Sequence, residues 1–500
     1  MTEKLKNYLL LSCVFLCAMI PDVFGARSQT LVDAQRGVRS FIAFSPDNPY
    51  LPIIILIGIF LVLATFYFPR FGLVIMLFFI MISTDLPVGK GDKVRTATVR
   101  YEDVILLLVS IGWILNRAKT RTLSSIKDCP IYKPMLAMAA IIVLATISGY
   151  FMETVGFQSG LLYSMKRLEY FWIFFMTYNL METRKEAWIS INLFLGVASI
   201  VAVIGLIQSA LFPLSDLAQG GSTATAGLGR ANTLADFYLI ILGVSLGLYI
   251  HNRNKKWMSI YLGLIGMFVF AIIMTKSRGA YVSIPFIILL ITYVSKSKKL
   301  VIILVSILMF FLLYHMGSLL VTNQNAELLM NKHNDEIKDQ FASIGNVIEK
   351  GPKADSSFNA RYTAWINTIP EVMKYPILGH GVGSVPLYYF DNQYVTELFD
   401  TGFIGLGVFL YLNLIIFISV LNFYRTSNDE FYKGLSLGFL GGHIGILIHG
   451  ATITNFYTII NMEAFWFILA ILMLLYHLQK KTQAQESADS SPAHIIHDQQ

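Results

Sequence analysis

Charge is scarce in this chain: only 14% of its 500 residues are Asp, Glu, Lys or Arg, against 55% hydrophobic. That scarcity excludes a string of soluble domains, which carry about a quarter charged residues. Cysteine is scarcer still, three in all. Cys13 and Cys17 lie in one apolar run and Cys129 in a basic loop, which excludes an external disulfide framework. Internal repeats are absent, and so are an Asp-rich motif and a His pair at metal-ligand spacing. What the chain has instead is apolar runs of the roughly 18 residues that fit a hydrocarbon core as helix. They fall at 7–25, 50–68, 71–87, 102–116, 134–151, 162–180, 187–212, 232–250, 257–275, 279–295, 299–317, 402–421, 433–450 and 460–478. Lipid leaves such runs little choice but helix, because every backbone group must be satisfied internally. The expected fold is therefore all-α, a polytopic membrane bundle of about 12–14 transmembrane helices.

The net charge of +7 is concentrated in short loops. Basic clusters at 116–133, 183–186, 251–256, 296–299, 424–433 and 479–481 all agree with one alternating topology that puts them in the cytoplasm. Lys90, Lys93, Arg95 and Arg100 are the exception, forced outside by the same topology. A basic balance placed in this way requires no nucleic acid. The first run, with its basic start and small residues near Gly25 and Ala26, reads either as a retained span or as a cleaved signal peptide. Five regions follow: 1–48, a first span or signal-like segment with an external linker; 49–317, a membrane bundle; 318–401, a large extracytoplasmic loop; 402–481, C-terminal spans; and 482–500, a disordered cytoplasmic tail rich in Ser, Gln, Ala and Asp.

The external loop is where chemistry would be built. Ile337, Phe341, Ile344 and Ile348 have helical spacing and predict an amphipathic helix on the bundle. Phe358, Tyr362, Trp365, Ile366 and Ile369 share one face of a second helix that Pro370 should end or kink. "GHGVG" reads as a tight turn. At the start of an inward-running span stands "TKSRGAYVSIP", with Ser277 a plausible N-cap and Arg278 beside free N–H donors. "GLGRANTLADF" repeats the geometry around Arg230, with Thr233 and Asp236 at capping-box spacing. Two arginines at helix N-termini, with Arg361 on the same side, make an anion site suited to a lipid-linked phosphate or diphosphate. A single Arg at a span end is commonly an interfacial anchor, which is the reading for Lys276.

"SRGAYVSIP", then "RYTAWINTIPEVMKYPILGHGVGS", then "DNQYVTELFDTGFIGLG" resemble, in order and spacing over residues 220–410, the O-antigen ligase and polymerase superfamily of Wzy/WaaL type. The resemblance implies a metal-independent, cofactor-free, inverting membrane glycosyltransferase using polyprenyl-diphosphate-linked donors at the outer leaflet of a bacterial cytoplasmic membrane; the charge-derived topology puts the C-terminus in the cytoplasm. Its arginines fall on Arg230 and Arg278, which would bind the diphosphate. Family ligases carry a His where this chain has "FDNQY"; the Asp391–Asn392 pair is more like repeat-unit polymerases. Asp391 is the first candidate for the base, ahead of Glu397 and His380. Arg361, Trp365, Asn392 and Tyr394 complete the expected substrate-binding set. Implied partners are the carrier-linked glycan, membrane lipid, and flippase and chain-length-control proteins.

Other polar residues have plainer readings. His443 and His449 lie in a Gly-rich span where close helix packing is the common use. Arg167 and Glu169 form a structural pair or line a glycan groove, and Tyr388, Tyr389, Tyr394 and Trp365 stack on sugars or form an interfacial belt. The expected function is polymerisation of carrier-linked repeat units, with an O-antigen ligase transferring glycan to another acceptor as the alternative, and two rivals from other classes remain. A lipid-linked-glycan flippase would show two related halves, which are not seen. A non-catalytic assembly scaffold would tolerate neutral substitutions of Arg230, Arg278 and Asp391.

Overall fold

The computed structural model describes residues 51–82, 85–87, 98–120, 126–211, 231–297, 347, 350–384 and 390–489. Its helices are α1 (Leu51–Tyr67), α2 (Pro69–Ile82), α3 (Tyr101–Thr120), α4 (Tyr132–Phe151), α5 (Phe157–Leu180), α6 (Arg184–Leu211), α7 (Ala231–His251), α8 (Lys255–Met274), α9 (Arg278–Ser295), α10 (Ser356–Val372), α11 (Gln393–Thr426), α12 (Glu430–His449) and α13 (Ile459–Asp489). Among the described residues eight helices, α4, α6 to α9 and α11 to α13, are long and apolar enough to cross a membrane. The helical membrane bundle expected from the apolar runs is what forms. Candidate spans 7–25 and 299–317, and Ile337, Phe341, Ile344 and Ile348 of the expected amphipathic helix, lie outside the described residues.

Three boundaries differ from expectation. The run 71–87 stops as helix at Ile82, and its last residues, Asp85–Pro87 (β1), pair antiparallel with Thr98–Arg100 (β2). That small ribbon holds Arg100, one of the basic residues that fitted the topology worst. α13 continues to Asp489, beyond the tail boundary at 482. α11 starts at Gln393, inside the expected loop, and is broken at Gly402, where the expected span 402–421 begins.

The chain groups into two compact units, one drawn from 1–125, 175–182 and 188–234, the other from 126–174, 183–187 and 235–500. In the first, α1 and α2 pack on α3. Trp113 meets Phe175 edge to face at 5.8 Å, and Arg117 donates to the carbonyl of Asn179.

The second unit has α7, α12 and α13 as its buried members. Two rows of glycine let α7 and α12 approach backbone to backbone. A Cβ on Gly247 would lie 2.2 Å from the Gly434 carbonyl oxygen, and one on Gly243 would lie 2.3 Å from the Gly442 nitrogen. In lipid, such close packing replaces the hydrophobic drive that holds soluble helices together. α9 also packs on α12, while α11 packs on α4 and α12. Along α11 the outward residues Phe403, Leu410, Tyr411, Leu414 and Ile418 are exposed, whereas Phe409, Leu412, Ile416, Val420 and Phe423 are buried. An exposed stripe of large apolar groups at helical spacing is a lipid-facing surface.

Candidate active site

The break in α11 is filled by a turn from the loop. Gly402 has φ 69° and ψ −171°, so the helix there loses its own hydrogen-bonding pattern. The turn after α10 supplies replacements: His380 N–H donates to the Phe399 carbonyl (2.9 Å), Gly381 N–H to the Asp400 carbonyl (3.0 Å), and Phe403 N–H donates to the Pro376 carbonyl (2.8 Å). Gly379, Gly381 and Gly383 all have positive φ, as the tight-turn reading of "GHGVG" requires. The imidazole of His380 lies flat on Phe399, with centroids 4.0 Å apart, and burial lowers its pKa below the usual histidine value. His380 is thus placed as a packing residue of the turn.

Three polar groups assemble within the second unit. The first reaches solvent. Arg278 opens α9, and its Nη1 is 2.7 Å from Asp355 Oδ2. A cation at a helix N-terminus is unfavourable by itself, and a carboxylate facing it corrects the balance. Asp355 also caps α10, accepting from Phe358 N–H at 2.7 Å. Farther along α10, Arg361 Nε lies 3.4 Å from Asp391 Oδ2. Asp391 has φ 44°, a conformation that costs a non-glycine residue energy and recurs at functional sites. Asn392 then caps α11 through Tyr394 and Val395 N–H, and its amide donates to Ala451 O. These four side chains, Arg278, Asp355, Arg361 and Asp391, are between 16% and 28% exposed. They form two ion pairs joined through the first turns of α10.

The second group is buried. Arg167 of α5 reaches Asp400 at 2.7 Å and Glu397 at 3.5 Å, and its guanidinium carbon lies 3.5 Å from the Tyr457 ring centroid. Tyr457 donates to Glu397 Oε2 at 2.6 Å and Thr401 to Oε1 at 2.9 Å. Beneath the cluster is a cavity of about 50 Å³ lined by Arg167, Glu397, Tyr457, Phe409 and Trp466. Burial raises the Tyr457 phenol well above its usual pKa, opposed by Arg167, so it stays a hydrogen-bond donor. The expected Arg167–Glu169 pair does not form: Glu169 sits 3.4 Å from Lys166.

The third group lies behind Arg278. Ser277 occupies the N-cap position of α9 but makes no capping bond; its hydroxyl is 3.1 Å from His449 Nε2. His449 Nδ1 is 2.8 Å from Asp236 Oδ1, which also accepts from Asn455 at 3.0 Å, while Oδ2 accepts from Asn461 at 3.1 Å. The capping box expected for Thr233 and Asp236 is therefore absent, since α7 begins two residues before Thr233 and Asp236 faces this network. Gly279 makes room for it, as a Cβ there would lie 2.6 Å from His449 Cδ2 and 2.1 Å from Thr452 Oγ1. His443 is separate, 2.8 Å from Asn413 Oδ1.

The solvent-reaching group thus brings together Arg278, Arg361 and Asp391 and adds Asp355, which the sequence reading missed although an Asp before "SSF" is an ordinary N-cap signal. Glu397 is turned inward to Arg167. The Tyr394 hydroxyl donates to the Leu447 carbonyl (2.6 Å) and Trp365 Nε1–H to the Phe390 carbonyl (2.7 Å), so both hold the scaffold. Arg230, Tyr388 and Tyr389 lie outside the described residues. No group of three or more His, Cys, Asp or Glu converges among the described residues.

A search of curated proteins finds no match. Residues 262–410 match the family model Wzy_C, described as O-antigen ligase, and that stretch covers Arg278, Asp355, Arg361, Asp391 and the Gly402 joint. This supports the superfamily to which the motifs point and an O-antigen ligase/polymerase type of function. The chain is a multi-pass membrane protein whose residues 262–410 are similar to the O-antigen ligase family.

Proposed function

We propose that the protein polymerises polyprenyl-diphosphate-linked oligosaccharide repeat units at the outer leaflet of a bacterial cytoplasmic membrane. The observation that carries this is the pair of arginines and pair of aspartates at the start of α9 and around α10. Arg278 would take the diphosphate at a helix N-terminus, with Arg230 as second cation, and the two guanidinium groups would stabilise the leaving group. Arg361 holds Asp391 in place. Asp391 would accept the proton of an acceptor hydroxyl as that oxygen attacks the anomeric carbon; the carbon–oxygen bond to the diphosphate breaks and its electrons leave with the phosphate, giving inversion. The guanidinium groups need no divalent metal to neutralise the developing charge. The Asp391–Asn392 element, in place of a His, favours polymerase over ligase.

The test is glycosyl transfer by purified protein in liposomes supplied with the host's carrier-linked repeat unit. Wild type should release carrier diphosphate and build a glycan ladder; Arg278→Ala should slow this by about 10²–10³ and Asp391→Ala by about 10²–10⁴, at equal folded amounts. A wild-type protein that moves its authentic substrate across the bilayer without any transfer would overturn the enzyme reading in favour of a flippase.

A further inference from the structure

At the far end of α8 from Arg278, about 30 Å along a 20-residue helix, lies a second cavity. Its volume is about 510 Å³, and its walls come from the end of α7, the α7–α8 loop and the start of α12. Two basic loops distant in sequence, 251–256 and 424–433, meet here. Arg253, Lys255 and Lys433 supply three cations, and Glu430 supplies one carboxylate, held by Arg253 at 2.9 Å. Among the described residues neither Lys255 nor Lys433 has an acidic partner. The neighbouring Asp429 is committed elsewhere, capping α12 through Phe431 and Tyr432 N–H and binding Arg184 at 2.7 Å. The cavity therefore carries an uncompensated positive charge at the end of the bundle where basic loops gather.

Its floor is of the opposite kind. Ile250 and Met258 line it on the side of the spans. Trp257 beside it, 6.0 Å from the Tyr261 ring, is the sort of aromatic residue that sits at headgroup level. Cations above an apolar floor at an interface match one ligand chemistry, a phosphate attached to a glycerol backbone and acyl chains. A soluble phosphate would use the lysines and leave the floor unused.

We propose that this cavity binds the headgroup of an anionic phospholipid, its phosphate between Lys255 and Lys433 and its glycerol region against Ile250 and Met258. Basic pockets between spans at a cytoplasmic face have the charge and depth for this role. The proposal is independent of the glycosyl-transfer reading, because the cavity and the Arg278 site lie at opposite ends of α8.

The test is native mass spectrometry of the full chain in detergent, titrated with phosphatidylglycerol or with phosphatidylcholine of the same acyl chains. Phosphatidylglycerol should give adducts at lower concentration, and the double variant Lys255→Gln/Lys433→Gln should bind it roughly tenfold more weakly. A control pair at the other end, Lys353→Gln/Lys374→Gln, should leave that binding unchanged. Equal retention of the two lipids, or full retention by the Lys255/Lys433 variant, overturns the proposal. Glycerol phosphate displacing the lipid at equal concentration overturns it too, in favour of a soluble-anion site.

Discussion

Asp236 is a carboxylate closed off from bulk solvent: it is fully buried and accepts from His449, Asn455 and Asn461. Through His449 and the Ser277 hydroxyl it also fixes the residue immediately before Arg278. Asp236→Leu would leave three buried donors unmet, at about 1–3 kcal/mol each. Thermal unfolding in detergent should therefore drop by many degrees for Asp236→Leu and by less for Asp236→Asn, which keeps the shape and one accepting oxygen. A Leu variant that unfolds with wild type would show that the network contributes nothing. The sequence offered one signal for this group, a carboxylate inside an apolar span, which is rare enough in membrane segments to mark a special position. The capping-box pattern with Thr233 drew attention away from it. Ser277 shows the same limit: a serine at an N-cap position normally bonds its own helix, and here a histidine 172 residues away takes the hydroxyl.

At the scale of elements, the spans were legible because an apolar run bounded by charge has one outcome in lipid, and α7, α8, α9 and α12 lie within a few residues of the runs that predicted them. The joint between the loop turn and α11 was not. Gly379 and Gly381 read as a turn and Gly402 as the start of a span, but nothing in either pattern says that one completes the other. Their docking follows from three-dimensional proximity of orphaned carbonyls, which local periodicity does not carry. The joint makes a sharp prediction. Gly402 adopts a backbone conformation essentially confined to glycine, and a Cβ there would lie 2.3 Å from the Ile377 oxygen; a Cβ on Gly379 would lie 2.5 Å from the Phe399 oxygen. Gly402→Ala should therefore lower stability by about 1–3 kcal/mol or more. Gly379→Ala should do the same, and the two should not add, since they strain one contact. Gly407→Ala, five residues along the same helix with nothing within 4 Å, is the control and should be neutral or mildly stabilising. Thermal unfolding of wild type, the three single variants and the Gly379/Gly402 double variant decides it: equal midpoints for the Gly402 and Gly407 variants would refute the joint.

At the scale of the molecule, charge has a polarity that the sequence shows and the helices carry through. The basic loops 251–256 and 424–433 meet at one end of the second unit, and the Arg278–Asp355 and Arg361–Asp391 pairs lie at the start of α9, beyond the opposite end of α8. Positive loops stay in the cytoplasm, so the ion pairs should face outward. In a cysteine-free background, Lys374→Cys should react with a membrane-impermeant maleimide in intact cells, and Lys256→Cys only after permeabilisation. The reverse pattern would invert the topology and place the Arg278 site away from an outer-leaflet donor. The arrangement of the second unit's polar interior was not legible at this scale, because Arg167, Glu397, Asp400 and Tyr457 come from three separate stretches of chain that only the packed bundle brings together.

The contact between Arg278 and Asp355 would make an anion site at the start of α9 an ion exchanger. An anion taking the Nη1 of Arg278 would displace a carboxylate already held at 2.7 Å, so its affinity would be set by a difference between two ion pairs. A ligand of single charge offers Arg278 little that Asp355 does not. A ligand with two or more charges on adjacent oxygens offers more, and the displaced Asp355 keeps its place as the cap of α10. Valence, more than charge alone, then decides what can occupy the start of α9.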